Sequence, residues 1–221
     1  MATSTTSTTV PAARGNYYAE GSYTHTDVKT GVTRNRVGTR ICCLTSDFLI
    51  GFRKAIIDEC GPAADGVFYS CGKTWGKGFA KRFETELSEF YGGPLVNAPM
   101  SLFEACLTEA ASHHGWGRLS LDCSHYDKGV LVVTVKNAIM ASLIGASETP
   151  ADSLLAGTFA GFFSHFAGFE LECVQTQCAA MGHPESKFVI SHPQRLTTAA
   201  DQVRQKVDHN TIVAGVLETK A

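Results

Sequence analysis

Residues 150–193 read PADSLLAGTFAGFFSHFAGFELECVQTQCAAMGHPESKFVISHP, and the two halves of the stretch follow different periods. In the first half, residues 151–169, Leu155, Phe159, Phe162, Phe163 and Phe166 recur at helical spacing, with Gly157 and Gly161 between them. The second half alternates loosely and breaks at Met181-Gly182-His183-Pro184. This predicts a hairpin of residues 170–180 with residues 187–192. A helix rich in glycine and phenylalanine has poor intrinsic propensity, so packing must hold it. Its face therefore suits either close helix contact or the wall of a cavity.

Upstream, the periodicity predicts three more helices. Thr45-Ser46-Asp47 is an N-cap cluster that opens a helix with Phe48, Leu49, Phe52, Ile56 and Ile57 inward, stopped by Gly61-Pro62. Residues 65–91 carry a long stripe of Val67, Phe68, Cys71, Trp75, Phe79, Phe83 and Leu87, interrupted by Gly72, Gly76 and Gly78. Each helical glycine costs roughly 1 kcal/mol of propensity, so this backbone is expected to approach another element or a ligand closely. Residues 99–114 form the third helix, with Leu102, Phe103, Cys106, Leu107 and Ala110 inward and Gly115 as its stop. Residues 117–124 and 129–137 are alternating segments around Tyr126-Asp127-Lys128-Gly129, a hairpin signal. After the opening stretch, residues 194–207 read as a polar closing helix, and residues 211–217 are apolar enough to dock.

Consecutive hairpins among helices give the predicted fold class, α+β, with an antiparallel sheet packed against helices on one face. The expected organisation is a disordered Ser/Thr-rich leader (1–15), an arm or hairpin (16–44), the main domain (45–193) and a C-terminal helix and tail (194–221).

Composition narrows the function. At 221 residues, 44% hydrophobic, the chain supports one buried core with extensions. A net charge of -2 lacks the basic field that nucleic acid demands. No apolar run approaches the ~20 residues of a membrane span, so the expectation is a cytoplasmic protein. The eight cysteines are expected to be reduced and mostly buried.

Three patterns carry a resemblance to a known family: Gly72-x3-Gly76 followed by Phe79 and Ala80; Gly115-Trp116-Gly117; and Leu155-x-Gly157-x3-Gly161-Phe162 with Cys178-x3-Gly182 and Phe188. Over residues 45–193 the chain resembles the 4-vinyl reductase, or hydrocarbon-binding, domain family. The resemblance implies the fold of TRAPP vesicle-tethering subunits, homodimerisation and an apolar cavity between helices and sheet. Among the family's members, the chain looks most like stand-alone cyanobacterial proteins linked to photosystem assembly and tetrapyrroles. It implies a hydrophobic ligand, such as a bilin or chlorophyll precursor, photosystem subunits as partners, and peripheral placement at the thylakoid membrane. The alternatives are a vinyl-tetrapyrrole reductase component fed by an external electron donor, and an assembly scaffold with a vestigial pocket.

Under this resemblance Trp75, Phe79, Phe159, Phe162, Phe163 and Phe166 are the candidate cavity residues. Lys77, with Lys73, Lys81 and Arg82, is placed to meet ligand carboxylates; the competing reading is core packing and a solvated helix face. The zinc pattern of the sensor members falls on Gln175, Cys178 and Ser186, only one of which is a thiolate, so no zinc is expected. A rearranged site from Cys173, Cys178 and His183 is the alternative. No catalytic residue is assigned: Gly72-Lys73-Thr74 and Gly76-Lys77-Gly78 lack P-loop spacing, and strand alternation separates Asp122 from Cys123 and His125. His113-His114 is explained by the carbonyls at a helix C-terminus.

Overall fold

The computed structural model describes residues 15–18 and 23–219; the expected leader lies almost wholly outside them. Three short strands come first, β1 (Thr24–Asp27), β2 (Val32–Asn35) and β3 (Arg40–Ile41), paired antiparallel in that order. Tyr17, Tyr18 and Tyr23 beside them are buried in the main core. The buried carboxylate of Glu86 ties this segment down, accepting from the Tyr17 hydroxyl (3.1 Å), Asn35 Nδ2 (2.9 Å) and Thr39 Oγ1 (3.1 Å). Three donors converging on one carboxylate offset the cost of burying it.

Helices α1 (Ser46–Cys60), α2 (Ala64–Tyr91) and α3 (Met100–His113) follow. The inward face expected for α1 is not inward: none of its residues is buried, and Phe48 and Phe52 are about half exposed. The helix is amphipathic enough to form, but it lies at the edge of the molecule, touching the body through contacts such as Phe52 against Phe68 at 6.4 Å. The cysteine expectation changes likewise, since Cys42, Cys43 and Cys71 are exposed and only Cys106, Cys173 and Cys178 are buried.

The main sheet comprises β4 (Arg118–Asp122), β5 (Val130–Lys136), β6 (Glu172–Gln177) and β7 (Ser186–Ser191) in the order β4-β5-β7-β6, all antiparallel. Between its hairpins run α4 (Ile139–Ile144), inside the predicted connection, and α5 (Ser153–Ala167). Leu131, Val133, Phe188 and Ile190 face the core under α2 and α5, while Val130, Val132 and Val189 face the opposite side. That opposite side is covered too, which corrects the expectation of helices on one face. The predicted closing helix is a single turn at Pro193–Arg195 and a short α6 (Ala199–Arg204); the tail is α7 (His209–Glu218). Leu196, Val203, Ile212 and Val216 from this region cover the second face. Lys206, at φ 59°, breaks the chain between α6 and α7, so one continuous helix cannot form.

The glycines of α2 and α5 settle the question their composition raised. A Cβ on Gly72 would lie 2.0 Å from the Leu154 carbonyl oxygen, and one on Gly76 2.2 Å from that of Thr158. Reciprocally, Gly157 faces the Tyr69 oxygen at 2.0 Å and Gly161 that of Lys73 at 2.1 Å. No side chain fits there, so the two helices meet backbone to backbone, where Cα–H···O contacts add to dispersion.

Candidate functional site

Along α2, Trp75 and Phe79 stand about 60° round the helix from Gly72 and Gly76; along α5, Phe159 and Phe162 are set off from Gly157 and Gly161 in a similar way. The glycine seam therefore clamps the helices and turns these aromatics together into the space above the sheet. They line a cavity with Leu107, Ala110 and His114 at and beyond the end of α3, Trp116, Leu119 and Val135. Trp75 stacks on Phe79 (5.2 Å) and leans on Trp116 (5.3 Å), while Phe79 packs on Phe162 (5.3 Å). Trp75, Phe79 and Trp116 are only partly buried, so they form the outer wall.

The cavity measures about 30 Å³. A single aromatic ring occupies a cavity of about 150 Å³, so the outer wall must move for a ring to enter. The lining is apolar except for Thr158, whose hydroxyl donates back to Leu154 O at 2.9 Å, and His114. His114 Nδ1 lies 2.7 Å from Ala110 O and Nε2 3.3 Å from the Tyr23 hydroxyl. Burial lowers the His114 pKa and raises that of Tyr23 to about 12, so both are neutral near pH 7. Neutral His114 then donates from Nδ1 to the carbonyl and accepts at Nε2 from Tyr23. This pair is the polar anchor beside an otherwise apolar space.

Of the sequence-derived candidates, Trp75, Phe79, Phe159 and Phe162 meet at the cavity. Phe163 and Phe166 do not line it: Phe163 points away from the α5 face that does, and Phe166, one turn further on, packs on Phe83 and Phe103. Lys77 lies on the far side of α2 in an ion pair with Glu170. Lys73 pairs with Glu172 at 2.6 Å and Glu170 at 3.0 Å, and Tyr69 donates to Glu172. Desolvation works against the Lys73 ammonium, but the two carboxylates outweigh it and raise its pKa. These groups fasten α2 to the start of β6 and do not point into the cavity. His114 and Trp116 were missed as site residues, although Gly115-Trp116-Gly117 marked the place. Gly117, at φ 118° and with Lys136 O 2.6 Å from where a Cβ would lie, is the tight turn that brings Trp116 over the opening.

The residues present do not fit zinc. Gln175 Oε1 accepts from Asp152 N (3.0 Å) and Ser186 Oγ from Ala179 N (3.2 Å), both in structural roles. Cys173 is fully buried, with its thiol pKa pushed well up by desolvation. Cys173, Cys178 and His183 do not converge, and among the described residues no three His, Cys, Asp or Glu side chains are spaced to hold a metal.

The architecture defines an α+β ligand-cavity domain. Its fold is that of the phenol-responsive sensory domain of the transcription activator PoxR, determined with phenol: TM-score 0.64 at 16% identity, covering 83% of this chain and 92% of that one. At the level of sequence, residues 131–192 match the 4-vinyl reductase domain family. Two further solved structures are more distant. A vinyl-4-reductase family protein from Methanocaldococcus jannaschii gives TM-score 0.48 at 13% identity, covering 68% of this chain and 83% of that one. A trafficking protein particle complex subunit 3 from Naegleria fowleri, covalently bound to palmitic acid, gives 0.47 at 12%, covering 66% and 93%. No curated protein matches the sequence.

Proposed function

We propose that this chain binds a compact hydrophobic molecule carrying one hydroxyl or similar polar group, with its ring between Trp75, Phe79, Phe159 and Phe162 and its polar group at His114 Nε2. The observation that carries this reading is an apolar cavity with a neutral histidine–tyrosine pair beside it. The family match and the PoxR domain's phenol support it. A ring held by such contacts gains roughly 25 cal/mol for each Å² of apolar surface buried, and the hydrogen bond adds discrimination more than affinity.

The tetrapyrrole reading, with the photosystem role, thylakoid placement and homodimer attached to it through the resemblance, asks more of the site. So large a ligand needs the whole Trp75–Trp116 wall displaced, and Lys73 and Lys77 are engaged elsewhere. The compact ligand is therefore the favoured one.

Both tryptophans of the chain lie at this cavity, which makes their fluorescence the direct reporter. Titration with phenol, alkylphenols and a bilin should give a saturable change for the phenols. Ala110→Leu, which fills the cavity at an overpacking cost of about 1–3 kcal/mol, should abolish that change while the protein remains folded. Failure of every phenol to produce a saturable change at millimolar concentration, or an unaltered titration in Ala110→Leu, rejects the assignment.

A further inference from the structure

The three-stranded sheet carries a pairing that the cavity does not explain. His25 on β1 stands opposite Arg34 on β2, and Arg34 opposite Arg40 on β3, so the three side chains form a row across one face of the sheet. All three are exposed. Like charges directly opposite one another destabilise a strand pair. Among the described residues neither arginine makes an ion pair, and Arg34 donates to Gly38 O at 2.8 Å instead. Asp27, on the same face of β1, has its carboxylate engaged by Lys29 N and Thr30 Oγ1.

Immediately after this row the exposed surface turns apolar. Leu44 is 53%, Phe48 51% and Phe52 50% exposed, and the two phenylalanines, one turn apart, stack at 6.3 Å. At about 3.5 Å per extended residue, Leu44 lies within ~14 Å of Arg40, so cations and apolar groups are neighbours. A nucleic acid would account for the arginines and leave the phenylalanines in water. A second copy of the chain would cover the phenylalanines and leave two arginines facing each other. An anionic bilayer satisfies both, because its phosphates neutralise the row while its interface takes up the apolar turn.

We propose that the exposed face of β1–β3 and the N-terminal half of α1 form a peripheral docking surface for an anionic lipid bilayer. Arg34 and Arg40 meet the headgroup phosphates, and Leu44, Phe48 and Phe52 enter the interface. This surface is separate from the cavity and stands whether or not the cavity takes a phenol.

The test is flotation of the full chain with vesicles of phosphatidylcholine alone and of phosphatidylcholine with phosphatidylserine in equal parts. The protein should float with the mixed vesicles at low salt, be released by added potassium chloride, and stay behind with phosphatidylcholine. The double substitution Arg34→Gln/Arg40→Gln should lower partitioning about 25-fold, roughly five-fold for each charge, and flatten the salt dependence. Phe48→Ser/Phe52→Ser should lose partitioning at every salt concentration; all these positions are exposed, so melting temperatures should stay close to that of the parent. Absence of flotation with the mixed vesicles at low salt overturns the proposal, as does partitioning unchanged in both double variants. A dimer that dissociates in Phe48→Ser/Phe52→Ser, measured by sedimentation velocity, would overturn it too and assign the face to self-association.

Discussion

At the scale of single residues, the clearest constraints are a missing methyl and a buried charge. Gly76 sits where a Cβ would fall 2.2 Å from the Thr158 carbonyl oxygen, and backbone cannot yield as a flexible side chain does. Gly76→Ala is therefore expected to destabilise the protein by about 3 kcal/mol or more in urea unfolding, the upper end of overpacking costs. Gly66, in the same helix with nothing within 4 Å, is the control: Gly66→Ala should stabilise by about 0.5–1 kcal/mol. Asp152, with no exposed surface, gives the second prediction. Desolvation raises its pKa from 3.8 to about 6 despite the hydrogen bond from Gln175. A raised carboxyl pKa means that folding favours the protonated form, so the associated stability is fully present below pH 3.8 and lost as pH rises through about 6. Asp152→Asn mimics the protonated form. It should raise stability by roughly 1–3 kcal/mol above about pH 6.5, an advantage that shrinks towards zero near about pH 4; denaturant melts across that range check it.

At the scale of elements, α7 shows how a short polar-looking tail becomes structural. Asp208 caps it, accepting from Asn210 N (3.0 Å) and Thr211 N (3.1 Å), and Ile212 is fully buried against the second face of the sheet. Ile212→Ala should cost about 2–5 kcal/mol in unfolding, the range for deleting a buried isoleucine. His209 docks the same helix, with Nδ1 2.8 Å from Thr176 Oγ1. Desolvation lowers its pKa, so this contribution is present above the ordinary histidine value of 6.5 and declines as pH falls below it. The strand beneath announced this second layer: Val130-Leu131-Val132-Val133 is a continuous apolar run, the mark of a strand buried on both faces. Read only as alternation, the run gave the antiparallel hairpin and concealed the helices behind it.

At the scale of the whole molecule, the cavity and the docking surface lie on different parts of the fold. Ligand entry moves Trp75 and Trp116, whereas docking uses β1–β3 and α1, so phenol titrations and vesicle partitioning should give independent readouts. Much was legible in the sequence. The change from helical period to alternation inside residues 150–193 determined α5 and the final hairpin, because those periods are set by backbone geometry. Helical spacing likewise placed Gly72 and Gly76 on one side of α2 and Trp75 and Phe79 on the adjoining side. Only the tertiary structure decided which side was the helix contact and which the cavity, since that depends on the backbone carbonyls of another helix. It alone removed Phe163, Phe166 and Lys77 from the cavity, brought His114 and Tyr23 together from positions 91 residues apart, and left the apolar side of α1 unburied. A local sequence determines where a side chain points along its own element; whether that direction meets solvent, sheet or an empty space is set by chain distant in sequence.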